Sequence, residues 1–291
     1  MRKEFSNYHP ANNFIFFACA IIYGMFISDP IFLVITDICA TMYLVAIKRW
    51  ESIKLIIGMI VVLLAIAVIN PIFNTNGETV IFLYFGRPYT LEALKYGFVT
   101  GAMFYSVILW FVCYNEIMTS DKFIYLFGKI MPSMSLVFTM VLRFVPLLKM
   151  RIERITTARS VIGKTGITKK EKYQNSSTVL LALTGSSLEN GAICADSMKG
   201  RGYGLEGRSS YAIYRLTNRD LLTLLVLLIC NIGVIYGIAS GDVMIGYNAE
   251  SELNVTLATL IGMISYLFML FIPTFLQVKE ELIWHISRSK I

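Results

Sequence analysis

Five apolar runs, candidates for crossing a bilayer when judged against the roughly 20 residues that its hydrocarbon core requires, constrain this chain more than any other feature. They are Phe14 to Ile47, Leu55 to Ile69, Tyr96 to Tyr114, Leu221 to Ile238 and Val255 to Leu276. The first is too long for one crossing and is interrupted by Ser28-Asp29-Pro30, where the proline cannot continue a helical hydrogen-bond ladder. It reads as two short helices joined by a tight turn, which makes six spans. The composition agrees: only 15% of residues are charged, whereas a soluble domain carries roughly a quarter. An ordinary soluble enzyme is thereby excluded, and the predicted class is an all-α, polytopic membrane helix bundle.

The few charges are unevenly placed, and Lys and Arg concentrate in loops retained in the cytoplasm. With the N-terminus inside, the inner segments are Met1 to Asn13, Lys48 to Lys54, Asn115 to Asp220 and the C-terminal tail. The outer loops Pro71 to Lys95 and Ala239 to Asn254 are poor in basic residues, the second having none. This predicts a multi-pass protein of the cell membrane with both termini cytoplasmic. Arg2 and Lys3 precede the first apolar run, but no small-x-small cleavage site closes it, so the first helix is expected to stay in the membrane. The resulting division is 1–114 for four N-terminal spans, 115–220 for a cytoplasmic or interfacial helical region, and 221–291 for the last two spans and the tail.

From Arg143 to Arg219 there are fourteen basic residues against five acids, a local excess above the +7 of the whole chain. Positive-inside bias and attraction to anionic headgroups account for much of it. Nucleic acid is not an expected partner, because no recognition fold or aromatic stacking platform accompanies the charge. The length of the segment implies a folded role. Ile130 to Leu142 is apolar but short for an upright span, and reads as an interfacial or buried helix. Phe144 to Arg159 and Ser177 to Met198 read as amphipathic helices, with Lys164 to Ser177 as a connecting loop. Each amphipathic helix closes on an arginine between small residues, Ala158-Arg159-Ser160 and Gly200-Arg201-Gly202. A guanidinium fork pairs bidentately with carboxylates, and small neighbours permit close approach, so both tips are candidates for docking into acidic grooves.

In these residues the chain resembles the T component of energy-coupling factor (ECF) transporters, a type of ABC transporter. The resemblance rests on Tyr8-His9-Pro10-Ala11-Asn12-Asn13-Phe14, on Tyr114 to Phe123 followed by Leu142-Arg143-Phe144-Val145-Pro146, and most strongly on Leu188-Glu189-Asn190 with Ala195 to Gly204. It implies a membrane coupling subunit for micronutrient uptake, of vitamins or metal ions. Its implied partners are two ABC-type ATPases and a substrate-binding membrane subunit, the S component. It implies that Arg159 and Arg201 end two coupling helices, one fitting into each ATPase, and that the subunit is not an enzyme and needs no cofactor. Gly200 departs from the Ala or Ser more usual at that place.

Other readings make different demands. Ala158 to Thr165 matches A-x-x-x-x-G-K-T, yet a phosphate-binding loop requires a strand before it and an apolar helix after it, and neither is expected here. An intramembrane hydrolase needs a histidine, metal cluster or paired acid at depth; His9 and His285 lie near the ends, while Asp37 and Glu116 show no His or Lys partner by spacing. The five cysteines have no paired spacing that would suggest a disulfide or zinc site. A stand-alone secondary transporter would show matching halves, which are absent. An ordinary ABC-type permease or a stand-alone secondary transporter remains the alternative class. Finally, Gly97 with Gly101, and Gly233 with Gly237 and Gly241, form G-x-x-x-G spacings suited either to internal helix packing or to a partner.

Overall fold

A computed structural model describes residues 4–74, 79–84, 87–128, 131–163, 168–205, 214, 216–240, 243 and 256–288. After a 3₁₀ turn, Glu4–Asn7, the described helices are α1 (Pro10–Phe26), α2 (Pro30–Lys48), α3 (Trp50–Phe73), α4 (Leu91–Ile117), α5 (Ser120–Gly128), α6 (Pro132–Val161), α7 (Lys169–Gly200), α8 (Asn218–Ala239) and α9 (Leu257–Arg288). A two-stranded antiparallel hairpin, β1 (Val80–Tyr84) with β2 (Arg87–Thr90), precedes α4. The fold is an all-α polytopic bundle, and that small hairpin lies within the loop expected after the third span.

The break inside the first apolar run falls where the sequence places it. Asp29 caps α2, its carboxylate accepting from the Ile31 amide at 2.9 Å, and Pro30 occupies the first helical position, where its missing N–H costs nothing. The turn between α2 and α3 is tighter than the loop expected over Lys48 to Lys54. Only Arg49 separates the two helices, at φ 48°, and its guanidinium is paired with Glu281 of α9. Holding a non-glycine residue at positive φ costs on the order of 1–3 kcal/mol, which surrounding contacts must offset.

The chain divides into two compact units, residues 1–123 with 214–291, and residues 124–213. In the first unit α2 is central, packing against α3, α4 and α9, while α1 packs against α4 and α8, and α8 against α9. The core is aromatic at one level: the buried Trp110 ring lies 5.5 Å from Phe16, 6.2 Å from Phe17 and 6.1 Å from Tyr43. By contrast α3 buries only Ser52, Ala67 and Pro71, leaving an apolar surface suited to lipid.

Glycines let these helices approach closely. A Cβ on Gly97 would meet the Ala67 carbonyl oxygen at 2.8 Å, and one on Gly101 the Leu63 carbonyl oxygen at 2.9 Å, so both close the α3–α4 contact. Gly233 faces Ser265, and Gly237 faces Gly262 across α8 and α9. These spacings serve internal packing; Gly241 lies outside the described residues.

Six helices are long and apolar enough to cross a membrane, namely α2, α3, α4, α6, α8 and α9 up to Ile283, with α1 a shorter apolar helix of 17 residues. The protein is therefore a multi-pass membrane protein. The set differs from the expected one in two places: α1 is shorter than the six, and α6 joins them, because Ile130 to Leu142 and Phe144 to Arg159 are not two helices. They join through Pro146 into one 30-residue helix beginning at Pro132. Likewise α7 starts at Lys169 and absorbs most of the expected connecting loop, because Thr168 and Glu171 form a capping box at its start.

Candidate coupling site

The unit of residues 124–213 is built around α6 and α7. Three arginines of α6, each eight residues from the next, hold α7 alongside. Arg143 Nη2 lies 4.0 Å from Cys194 Sγ, Arg151 Nη1 donates to Ser186 Oγ at 3.2 Å, and Arg159 Nε donates to Asn175 Oδ1. Partners recede along α7 as the arginines advance along α6, so the two helices form an antiparallel hairpin.

Both sequence-predicted tips sit at helix C-termini, in different ways. Ala158, Arg159 and Ser160 occupy the last turn of α6; Ala158 and Ser160 are exposed, whereas Arg159 is half-buried against α7. Ser160 Oγ donates to the Thr157 carbonyl at 2.7 Å, a local bond that leaves its backbone helical. Gly163 ends the helix at φ 79°, its amide donating to Ser160 O at 3.0 Å. Gly200 is the last residue of α7 and Arg201 its exposed cap. Gly202, at φ 80°, donates to Lys199 O and Tyr203 to Met198 O, both at 3.0 Å, the bond pair of a Schellman termination. Gly202 thus meets a backbone demand of helix termination. Among the described residues the Arg201 guanidinium makes no hydrogen bond or ion pair, and the helix C-terminus favours its positive charge.

Arg159 and Arg201 lie at opposite ends of the hairpin. From Asn175, which binds Arg159, to Arg201 is a run of α7 that spans about 39 Å at 1.5 Å per residue. Along the Arg201 end runs a groove of about 1130 Å³ lined by Leu136, Met140, Phe144, Ile193, Arg143 and Arg201 among others, with no acidic residue in its wall. No residue of α6 is buried, and Met134, Val137, Phe138 and Val141 are more than half or about half exposed. Apolar surface of this extent marks contact with protein or membrane.

The rival sites fare otherwise. A phosphate loop would need a strand where α6 places a helix; Lys164 and Thr165 lie outside the described residues. Glu116 does have a lysine partner, Lys48 Nζ at 2.5 Å, because α2 and α4 end at the same level. Asp37 Oδ1 is buried without a hydrogen-bond partner. Among the described residues no cluster of three or more His, Cys, Asp or Glu could hold a metal ion. The five cysteines are free thiols.

One end of the first unit gathers residues distant in sequence. Lys48 pairs with Glu116, Arg49 with Glu281, His9 with Asp220 and Ser6 with Lys122. The segments around residues 4–13, 48–50, 114–122, 214–220 and 279–281 therefore share that end, while the β1–β2 hairpin lies at the far end of α3 and α4.

An apolar multi-helix bundle interrupted by a basic helical hairpin defines a polytopic membrane protein with a separate charged helical unit. The family model for CbiQ, cobalt transport protein, matches residues 5–211, more than two thirds of the chain, both arginine tips included. The chain belongs to that family, the T component family of energy-coupling factor transporters. No curated protein matches it.

Proposed function

We propose that this chain is the membrane coupling subunit of an ECF-type importer for cobalt or another micronutrient, in which two ATPases dock on Arg159 and Arg201. The observation that carries this reading is the antiparallel hairpin, which presents one arginine at each end within the family-matched residues. Two tips about 39 Å apart suit two partners side by side. Helix C-termini leave carbonyls exposed and concentrate negative potential, so a cation there is stabilised and preoriented. Arg201 offers its whole fork, while Arg159 spends Nε on Asn175 and offers its two terminal nitrogens.

ATP hydrolysis belongs to the partners, and substrate choice to a separate binding subunit in the membrane. Closure of the ATPase pair displaces the two helix ends, and the displacement enters the bundle along the chain at Phe123 and Tyr214. The region of residues 115–220 is the cytoplasmic coupling domain, flanked by membrane parts 1–114 and 221–291, and both termini face the cytoplasm.

Co-purification tests the docking. The Arg159→Glu, Arg201→Glu double variant should insert into the membrane at the wild-type level and lose the ATPases, because each reversal places a carboxylate against a helix C-terminus and an acidic groove. Wild-type recovery of both ATPases with unimpaired uptake would sink the assignment.

A further inference from the structure

The N-terminal stretch, residues 4–13, touches both places where the chain passes between the first unit and residues 124–213. At the exit, the buried ammonium of Lys122, in the first turn of α5, donates to the Ser6 carbonyl, to Ser6 Oγ at 2.8 Å and to the Ile117 carbonyl at the end of α4 at 3.1 Å. Ser6 Oγ itself donates to Ile117 O at 3.4 Å. At the return, the buried carboxylate of Asp220 accepts from the His9 amide at 2.9 Å. Asn12 Nδ2 donates to the Asp220 carbonyl at 2.7 Å and to Thr223 Oγ1 at 2.8 Å, and the rings of His9 and Tyr214 meet edge to face at 6.5 Å.

Ser6 and His9 are three residues apart, at most about 11 Å of chain. One short segment thus binds both connections, and it continues without interruption into α1, which packs on α4 and α8. The return has its own local cap, since Asp220 also accepts from the Thr217 amide and hydroxyl. The bonds from His9 and Asn12 are additional to what α8 needs to begin. A lysine that fills a buried site with two carbonyls and a hydroxyl, and no carboxylate, positions backbone and neutralises nothing.

We propose that residues 4–13 form a clasp that locks the exit and the return of the inserted coupling segment to α1, so that displacement of that segment moves the bundle as one body. Lys122 and Asn12 are positioning residues of this clasp. The inference rests on the coupling role proposed above and adds the place where force enters the membrane part. Without the clasp, motion at the two connections is absorbed locally, at Thr119 to Phe123 on the exit and at Thr217 on the return.

The test uses the complete complex, this chain with its two ATPases and its substrate-binding subunit, reconstituted in liposomes, with ATP hydrolysis and uptake measured together. The Lys122→Met, Asn12→Ala double variant should retain the ATPases and hydrolyse ATP near the wild-type rate, while uptake per ATP falls by about fivefold or more. Lys122→Arg, which keeps a cationic donor, should retain most of the coupling. Should the double variant not fold, the two single variants carry the test, each expected to lower uptake per ATP. Unchanged uptake per ATP in folded variants overturns the clasp, and so does loss of the ATPases from them, which would make these residues docking supports. Failure of the wild-type chain to hold any ATPase overturns the docking reading itself and the clasp with it.

Discussion

Lys122 shows how a single side chain is made expensive and kept. Burial disfavours its ammonium and pulls its pKa down to about 8 from the ordinary lysine value of 10.5. Below about pH 8 the folded and unfolded chains both carry the proton, and the cost of burying the charge is present in full. Between about pH 8 and pH 10.5 the folded chain releases the proton while the unfolded chain retains it, so folding becomes more favourable with rising pH. The melting temperature of the wild type, measured relative to Lys122→Met in the same detergent, should therefore climb as pH is raised from about 7.5 to about 10. A constant difference across that interval would show that the ammonium is not buried in the folded chain. The contrast between Arg159 and Arg201 is of the same kind: identical side chains at two helix ends, one tied to Asn175 and one free of described partners, differ in how far they are preoriented for a ligand.

At the scale of the element, the glycines of the helix interfaces are the most exacting positions. A methyl group on Gly97 would lie 2.8 Å from the Ala67 carbonyl oxygen and 3.1 Å from its Cα, both backbone atoms, so α3 and α4 would have to separate. Gly97→Ala should cost about 1–3 kcal/mol, the usual range for overpacking. Gly58 has nothing within 4 Å of the same added atom, and Gly58→Ala should leave stability unchanged or slightly raised. Thermal unfolding of the two variants in detergent compares them directly; equal melting temperatures would mean that α3 and α4 do not meet through Gly97. Much of this level was legible from the chain alone. Asp29-Pro30 announced a helix start through its own chemistry, and the apolar runs located the spans. The continuity of α6 across Leu142 and Phe144 is hidden in the sequence because Arg143 interrupts the apolar run, although a long side chain can leave a helix sideways to reach Cys194 without ending it. Pro146 is accommodated within α6 in the same way, since one lost hydrogen bond does not stop a 30-residue helix. The partnership of Lys48 with Glu116 was invisible because the residues are far apart in sequence and only the common level of two helix ends unites them. Gly202 has a backbone role that its place beside Arg201 does not reveal: its positive φ closes α7 and leaves the arginine as an exposed cap.

For the whole molecule the deciding question is which side of the membrane each end of α6 occupies. By length and composition α6 qualifies as a span, but its partner α7 has a polar sequence bearing Glu189, Asp196 and Lys199, and charged residues at bilayer depth are costly. An antiparallel pair crosses together or not at all, so the coupling role proposed above requires both helices to lie outside the hydrocarbon core, and the polarity of α7 favours that. The chain then returns to α8 on the side from which it left α4, as the meeting of His9 with Asp220 and of Ser6 with Lys122 at one end of the bundle requires. The orientation proposed above puts that side in the cytoplasm, in keeping with positive-inside bias, since Lys48, Arg49 and Lys279 lie there and the opposite end holds the β1–β2 hairpin. Single cysteines in a background lacking Cys19, Cys39, Cys113, Cys194 and Cys230 make this measurable with a membrane-impermeant maleimide. Thr79→Cys, beside the hairpin, should react in intact cells. Ser133→Cys and Thr157→Cys, near the two ends of α6, should both react only after permeabilisation, as should Lys279→Cys. Labelling of Ser133 and Thr157 from opposite sides would make α6 a true span and would force α7 through the membrane beside it. In that case Arg159 and Arg201 would face different compartments, and docking of two cytoplasmic ATPases on them would be geometrically impossible.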